Sequence, residues 1–234
     1  RPYRDARISR IYEGTNEINR MLIVGTLLKR SMKNEINLLN ESMNIIKSMD
    51  INPCHYAEND HFQSSYNLID NLKKYFLYVL GKSAMHFGEK IKSEQEVMMN
   101  IANIIISIYV MESTIKRCEK VYNTTKNEIL IDISKSSIYY NLLDFRENSI
   151  EALTSFMSEK NTDLSLKLLD NSTSFKRFNI KDLNRKIADY FLLKKSYNLF
   201  KHKYKLNIRL IKSHNLFYKK LTNIIDPEKK RKII

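Results

Sequence analysis

The chain has 234 residues, 43% of them hydrophobic, which suits one large or two small packed domains. Lysine and arginine number 40 against 26 aspartate and glutamate, and the net charge of +14 suits an anionic partner. The two cysteines lie far apart without zinc-type spacing, and no stretch reaches the roughly 20 apolar residues of a membrane-spanning helix. We therefore expect neither a metal site nor a membrane span.

Apolar residues recur at spacings of three and four along most of the chain, which has only 4 glycines and 3 prolines. This pattern predicts an all-α fold, a helical bundle. The first helix is expected to follow Gly14 and to run to about Arg30, with Thr15 as its N-cap and Glu17 in its first turn. Its apolar face is predicted to comprise Ile18, Met21, Leu22, Gly25 and Leu28.

A second helix is expected over residues 34–47, and Asn52-Pro53 then disfavours helix at the residue before proline. Four further apolar stripes predict helices, the first of them ending at Gly81. The stripes are Phe62, Tyr66, Ile69, Leu72, Phe76 and Leu80; Val97, Ile101, Ile104, Ile108, Met111, Ile115, Cys118 and Tyr122; Ile138, Leu142, Phe145, Ile150, Leu153 and Met157; and Ile180, Leu183, Ile187, Phe191, Tyr197 and Phe200.

Positive charge is concentrated at the end of the sequence, where residues 201–234 hold eleven lysines or arginines against Asp226 and Glu228. Apolar residues lie among them, so this basic tail suits either an amphipathic helix on an anionic membrane surface or a solvated end. It carries no helix-turn-helix, zinc-finger or RNA-recognition pattern. We therefore do not expect nucleic acid as a partner.

The most specific pattern lies near the start, where residues 3–20 read Tyr-Arg-Asp-Ala-Arg-Ile-Ser-Arg-Ile-Tyr-Glu-Gly-Thr-Asn-Glu-Ile-Asn-Arg. This segment closely resembles the C-terminal signature of the acyl-CoA dehydrogenase family. The resemblance implies an acyl-CoA substrate, FAD as cofactor, and α,β-dehydrogenation of the thioester as a step of fatty acid β-oxidation. It also implies an acceptor of the electron-transfer flavoprotein type, which takes the electrons from the reduced flavin.

The same resemblance assigns roles within residues 12–17, hereafter the Glu13 motif. Glu13 stands at the position of the family's catalytic base, and a carboxylate becomes more basic when it is removed from water. Gly14 and Tyr12 fall at substrate-binding positions, where the absence of a side chain on Gly14 permits close approach. Thr15, Asn16 and Glu17 fall at flavin-contacting positions, at a helix start whose free N–H groups suit a pyrophosphate.

The region from Tyr75 to Glu119 resembles the extra helical domain of the very-long-chain branch of this family. That branch implies long-chain substrates, homodimers and contact with a membrane surface. We expect residues 1–30 to be the end of the catalytic helical domain and residues 61–200 to form an appended helical domain. Residues 31–60 are expected to connect these two domains, and residues 201–234 to form the basic tail.

The chain is expected to be a piece of a longer enzyme, inactive alone, in the bacterial cytoplasm or at its membrane. Two alternatives remain open. One is a non-catalytic interaction or assembly module derived from the same family. The other is a free-standing basic domain that binds a membrane or nucleic acid.

Overall fold

The computed structural model describes residues 5–53 and 62–194. Within those ranges the chain forms seven α-helices and no strand, which confirms the predicted all-α helical bundle. The helices are α1 Asn16–Met32, α2 Leu38–Ser48, α3 Gln63–Phe87, α4 Gln95–Thr125, α5 Ile129–Thr154, α6 Glu159–Ser172 and α7 Ile180–Lys194. Predictions for residues 1–4, 54–61 and 195–234, including the basic tail, lie outside the described ranges.

Short 3-10 turns lie at Ile8–Arg10 and Gly88–Ser93. The helices as far as Tyr190 belong to one compact unit, and a second unit begins at Phe191. That residues 31–60 connect two domains stays a prediction. Helix α1, most of which precedes this segment, packs against α4, and α2, which lies within it, packs against α3.

Helix α4 is the centre of the first unit and packs against α1, α3 and α5. The stripe predicted from Val97 to Cys118 is buried throughout, and Tyr122 at its end is half-buried against the ring of Phe62. By length and composition α4 is able to cross a membrane, and 44% of its most apolar 18 residues are buried inside the bundle. A helix at the centre of a bundle passes the same test, so the expectation of no membrane span stays a prediction.

The predicted end of α3 at Gly81 is wrong, because the helix continues to Phe87 and is capped by Gly88 at φ 54°. Gly81 instead lies where α2 crosses α3. A Cβ at this position would lie 2.7 Å from Ile46 Cδ1 and 2.9 Å from Ser42 Cβ. The glycine therefore permits a close helix crossing and does not mark a helix end.

The predicted apolar face of α1 is only partly correct. Leu28 is buried, but Ile18 is 60% exposed and Leu22 is 63% exposed. The buried residues of α1 are Val24, Leu28 and Ser31, which follow one another at intervals of four and three. The packed face is therefore rotated away from Ile18 and Leu22.

Helix α6 was not predicted, and it contributes both apolar and polar contacts to the core, since Leu168, Leu169, Ser165 and Ser172 are buried. The buried hydroxyl of Tyr75 donates to the Ser165 carbonyl over 3.0 Å, and the Tyr78 hydroxyl lies 2.8 Å from Ser165 Oγ. Burial, together with the neighbouring Tyr78, raises the pKa of Tyr75 above its ordinary value. These bonds satisfy the two tyrosines inside the bundle.

The apolar stripe predicted for α5 includes core residues, whereas the described part of the stripe predicted for α7 does not. Ile138, Phe145 and Leu153 of α5 are buried, whereas α7 buries no residue. Helix α7 is attached to α5 by polar bonds, including an ion pair of 2.6 Å between Lys186 and Asp132. Its predicted apolar face is therefore not a core face within the described residues.

Candidate functional site

The backbone turns sharply at the centre of the Glu13 motif. Glu13 has φ 51° and Gly14 has φ 83°, so two successive residues adopt the left-handed conformation. A Cβ at Gly14 would lie 3.1 Å from Asn19 Oδ1, and the Asn19 amide donates to the Gly14 carbonyl over 2.8 Å. This bond pins the turn to the first turns of α1, and glycine at position 14 avoids both strain and a close contact.

Thr15 is the N-cap of α1, as the sequence predicts. Its Oγ1 accepts a hydrogen bond from the Ile18 N–H over 3.3 Å, which satisfies one of the free donors at the helix start. Glu17 lies in the first turn, also as predicted. A hydrogen bond from its own backbone N–H, and then one from the Thr15 hydroxyl, lower the pKa of Glu17. The start of α1 therefore already holds one negative charge.

Arg20 connects the Glu13 motif to the helical core, a role that the sequence analysis missed. Its Nη1 donates to the Asn16 carbonyl over 3.2 Å, and its Nε donates to Asn103 Oδ1 of α4 over 2.6 Å. Asn103 in turn donates to Asn148 Oδ1 of α5 over 2.7 Å. The available signal was Asn103, a polar residue that interrupts the apolar run of α4.

The motif is open to solvent in the described part of the chain. Glu13 is exposed, and Tyr12 is 54% exposed. Just before it, Ile8 is 61% exposed and Ile11 is 74% exposed. The structure thus brings Glu13, the Gly14 turn and the Thr15 cap together at one end of α1 but leaves the carboxylate in water.

Two cavities lie elsewhere in the described bundle. One, of about 570 Å³, is formed where α1, α2 and the end of α3 meet, with Leu28, Leu39 and Ile91 in its lining. The other, of about 370 Å³, lies between α5 and the connection from α6 to α7. Neither is lined by any residue of the Glu13 motif.

Comparison with known proteins relates the helical core to one family. Residues 71–169 match the model described as acyl-CoA dehydrogenase, C-terminal domain. This range runs from the middle of α3 into α6 and begins well after the Glu13 motif. It therefore relates the bundle, and not Glu13 itself, to the family.

A probable acyl-CoA dehydrogenase of Bacillus subtilis is 35% identical over 120 residues, which are 51% of this chain and 20% of that protein. The crystal structure of a Bacillus anthracis acyl-CoA dehydrogenase complexed with FAD superposes with a TM-score of 0.76 and 31% identity, covering 83% of this chain and 33% of that one. These similarities support the acyl-CoA dehydrogenase family. The chain spans a third or less of the length of either relative.

Proposed function

We propose that this chain is the C-terminal part of a flavin-dependent acyl-CoA dehydrogenase, with Glu13 as the catalytic base. The observation that carries the proposal is the Glu13 turn. Two left-handed residues present a carboxylate immediately before a capped helix, and that helix is bonded through Arg20 to the bundle that matches the family. The similarity of the bundle and the resemblance of the motif lead independently to the same family.

In the proposed reaction, Glu13 takes a proton from the α-carbon of the acyl thioester. The electron pair of that C–H bond forms the Cα=Cβ double bond as a hydride leaves the β-carbon. When bound, FAD supplies the acceptor for this hydride. Tyr12 and Gly14 flank the base and are proposed to contact the substrate, since Gly14 has no side chain to obstruct the thioester.

The exposure of Glu13 supports a site that further parts of the enzyme complete. A catalytic carboxylate needs a dry environment to become basic, and the described residues do not provide one. The exposed Ile8, Ile11 and Tyr12 are a surface suited to such a cover. We therefore propose that the chain is inactive alone and acts within a longer protein.

The start of α1 has groups that fit the proposed flavin contacts. Thr15 offers a hydroxyl, Asn16 offers an amide, and Arg20 brings a guanidinium to the Asn16 carbonyl. Glu17 restricts which part of FAD approaches, because its carboxylate already accepts a backbone N–H at the helix start. We propose that the motif contacts the uncharged parts of the dinucleotide more closely than its pyrophosphate.

The appended bundle supports narrower proposals. The resemblance to the very-long-chain branch leads us to propose a long acyl chain as substrate, a homodimer and contact with a membrane surface. The resemblance of residues 3–20 to the family signature leads us to propose an electron-transfer flavoprotein-type acceptor. We retain the division into residues 1–30, 31–60, 61–200 and 201–234 as part of this proposal, together with a bacterial cytoplasmic or membrane-surface location.

The second candidate function is a non-catalytic assembly module of the same family. It is favoured by one observation, that the matched residues 71–169 exclude the Glu13 motif. In that case the bundle would be retained for its packing surfaces while the carboxylate had no reaction to perform.

The test is purification of the longer protein of which this chain is proposed to be a part. Our proposal predicts bound FAD that a long-chain acyl-CoA reduces in the absence of oxygen, and a comparison of butyryl-CoA with palmitoyl-CoA measures the chain-length preference. The isolated chain serves as the control and should not catalyse the reduction of added FAD by acyl-CoA. A folded longer protein that lacks FAD, or whose FAD is not reduced by any acyl-CoA, would favour the assembly module.

A further inference from the structure

The cavity of about 370 Å³ between α5 and the α6–α7 connection is lined by three aromatic side chains together with Leu142 and Leu143. The ring centroids of Tyr139 and Phe178 lie 6.2 Å apart, and those of Phe175 and Phe178 lie 6.4 Å apart, both pairs edge to face. All three rings are half-buried. All three line a space large enough for a small organic ligand.

Three cationic side chains line the same cavity, namely Arg146, Lys176 and Arg177, and no acidic residue does. Arg146 is held in place by Asp170, at 2.7 Å, and by the Thr173 hydroxyl. Lys176 and Arg177 are exposed and form no ion pair with the described residues. The cavity therefore combines one fixed guanidinium with two uncompensated positive charges.

The sequence Phe175-Lys176-Arg177-Phe178 explains this arrangement. The two phenylalanines are half-buried against the cavity while the two cations between them remain exposed at its rim. A ligand that used both features would carry a planar ring for the aromatic wall and an anionic group for the rim. Lysine and arginine bind phosphate through charge-assisted hydrogen bonds, and aromatic side chains stack on nucleobases.

We infer that this cavity binds a nucleotide, with the base against the Phe178 ring and the phosphate at Lys176 and Arg177. An aliphatic anion is a poorer match, because three of the five apolar side chains in the lining are aromatic. The inference uses no residue of the Glu13 motif. It therefore stands or fails separately from the proposed dehydrogenase activity.

Calorimetric titration of the full chain with ADP tests the inference. We expect saturable binding, weaker binding of adenosine and of inorganic phosphate, and an affinity reduced by about tenfold or more in the double variant Lys176→Ala/Arg177→Ala. Both side chains are exposed, so this variant should fold normally, which circular dichroism verifies. Phe178→Leu should weaken ADP and adenosine while leaving phosphate unchanged, because it removes the stacking surface.

The matched control is Lys90→Ala/Lys120→Ala, which removes two exposed cations outside the cavity. It should bind ADP as the unchanged chain does. An equal loss in this control would show attraction by net charge alone and would overturn the site. The proposed site would also be overturned if ADP did not bind saturably, or if hexanoate bound as tightly as ADP. Loss of ADP binding in Thr15→Ala but not in Lys176→Ala/Arg177→Ala would overturn it as well.

Discussion

Arg20 of α1 and Asn103 of α4 are joined by a hydrogen bond of 2.6 Å across 83 positions of sequence. Because Arg20 also donates to the carbonyl of Asn16, the beginning of α1 is tied to the centre of the bundle. Asn103 continues the connection to Asn148 of α5. The orientation of the Glu13 turn thus depends on helices that lie within the matched range 71–169.

Asn103→Ala should loosen α1 from the bundle. The change removes the acceptor of Arg20 and the donor to Asn148, and a part-buried polar group left unpaired costs about 1–3 kcal/mol. Hydrogen exchange should show the amides of α1 exchanging faster while those of α3 change little. Asn40→Ala is the control, since its exposed amide bonds only locally with Asn37. If the amides of α1 exchanged equally fast in Asn103→Ala and Asn40→Ala, the proposed link between α1 and the bundle through Asn103 would be contradicted.

Two glycine substitutions inside helices should have opposite effects on stability. Gly81→Ala places a methyl group 2.7 Å from Ile46 Cδ1 and should destabilise by about 1–3 kcal/mol, because α2 and α3 must separate. Gly25→Ala meets only Met98 Cε at 3.9 Å and should stabilise by about 0.5–1 kcal/mol, since alanine favours helix. Urea unfolding measures both. A stable Gly81→Ala variant would show that the helix crossing is looser than described.

Stability should decrease in alkaline solution. Burial raises the pKa of the Cys118 thiol to about 11 against the opposing effect of Arg117, and burial together with Tyr78 raises that of Tyr75. In the unfolded chain these groups ionise near about pH 8.5 and 10, respectively. The folded state retains the protons that the unfolded state releases. The contribution of these two groups to the free energy of unfolding should therefore be constant below about pH 8 and fall as the pH rises toward 11.

Tyr75→Phe separates the contribution of that hydroxyl. The variant should lose about 1 kcal/mol at neutral pH, because the Ser165 carbonyl loses its donor. Its stability should then fall less steeply above about pH 10, where the unfolded wild-type tyrosine ionises. Tyr109→Phe, which removes the hydroxyl of a side chain that is 71% exposed, is the matched control. An identical alkaline slope in all three proteins would contradict the effect of burial.

Sequence patterns were reliable where the structure is determined locally or by a long regular stripe. The Thr15 cap depends on residues within one helical turn, and the α4 face from Val97 to Cys118 repeats often enough to fix its orientation. Helix α6 was missed because its core face includes the small polar residues Ser165 and Ser172, which are buried without an apolar signal.

The remaining differences come from contacts distant in sequence. Gly81 resembles a helix end until Ile46 and Ser42 of α2 are seen against it. The spacing of Ile18 and Leu22 predicts that they share the apolar face of α1, but both are exposed in the described chain. Arg20 and Asn103 are too far apart in sequence for spacing to relate them.

The central claim is that Glu13 is the base of an acyl-CoA dehydrogenase, and Glu13→Gln in the longer, FAD-containing protein tests it most directly. Glutamine keeps the size of the side chain but cannot take the α-proton. We predict unchanged FAD content and reduction of the flavin by acyl-CoA that is slower by about a hundredfold to ten-thousandfold in anaerobic stopped flow. Reduction at the wild-type rate would contradict the claim.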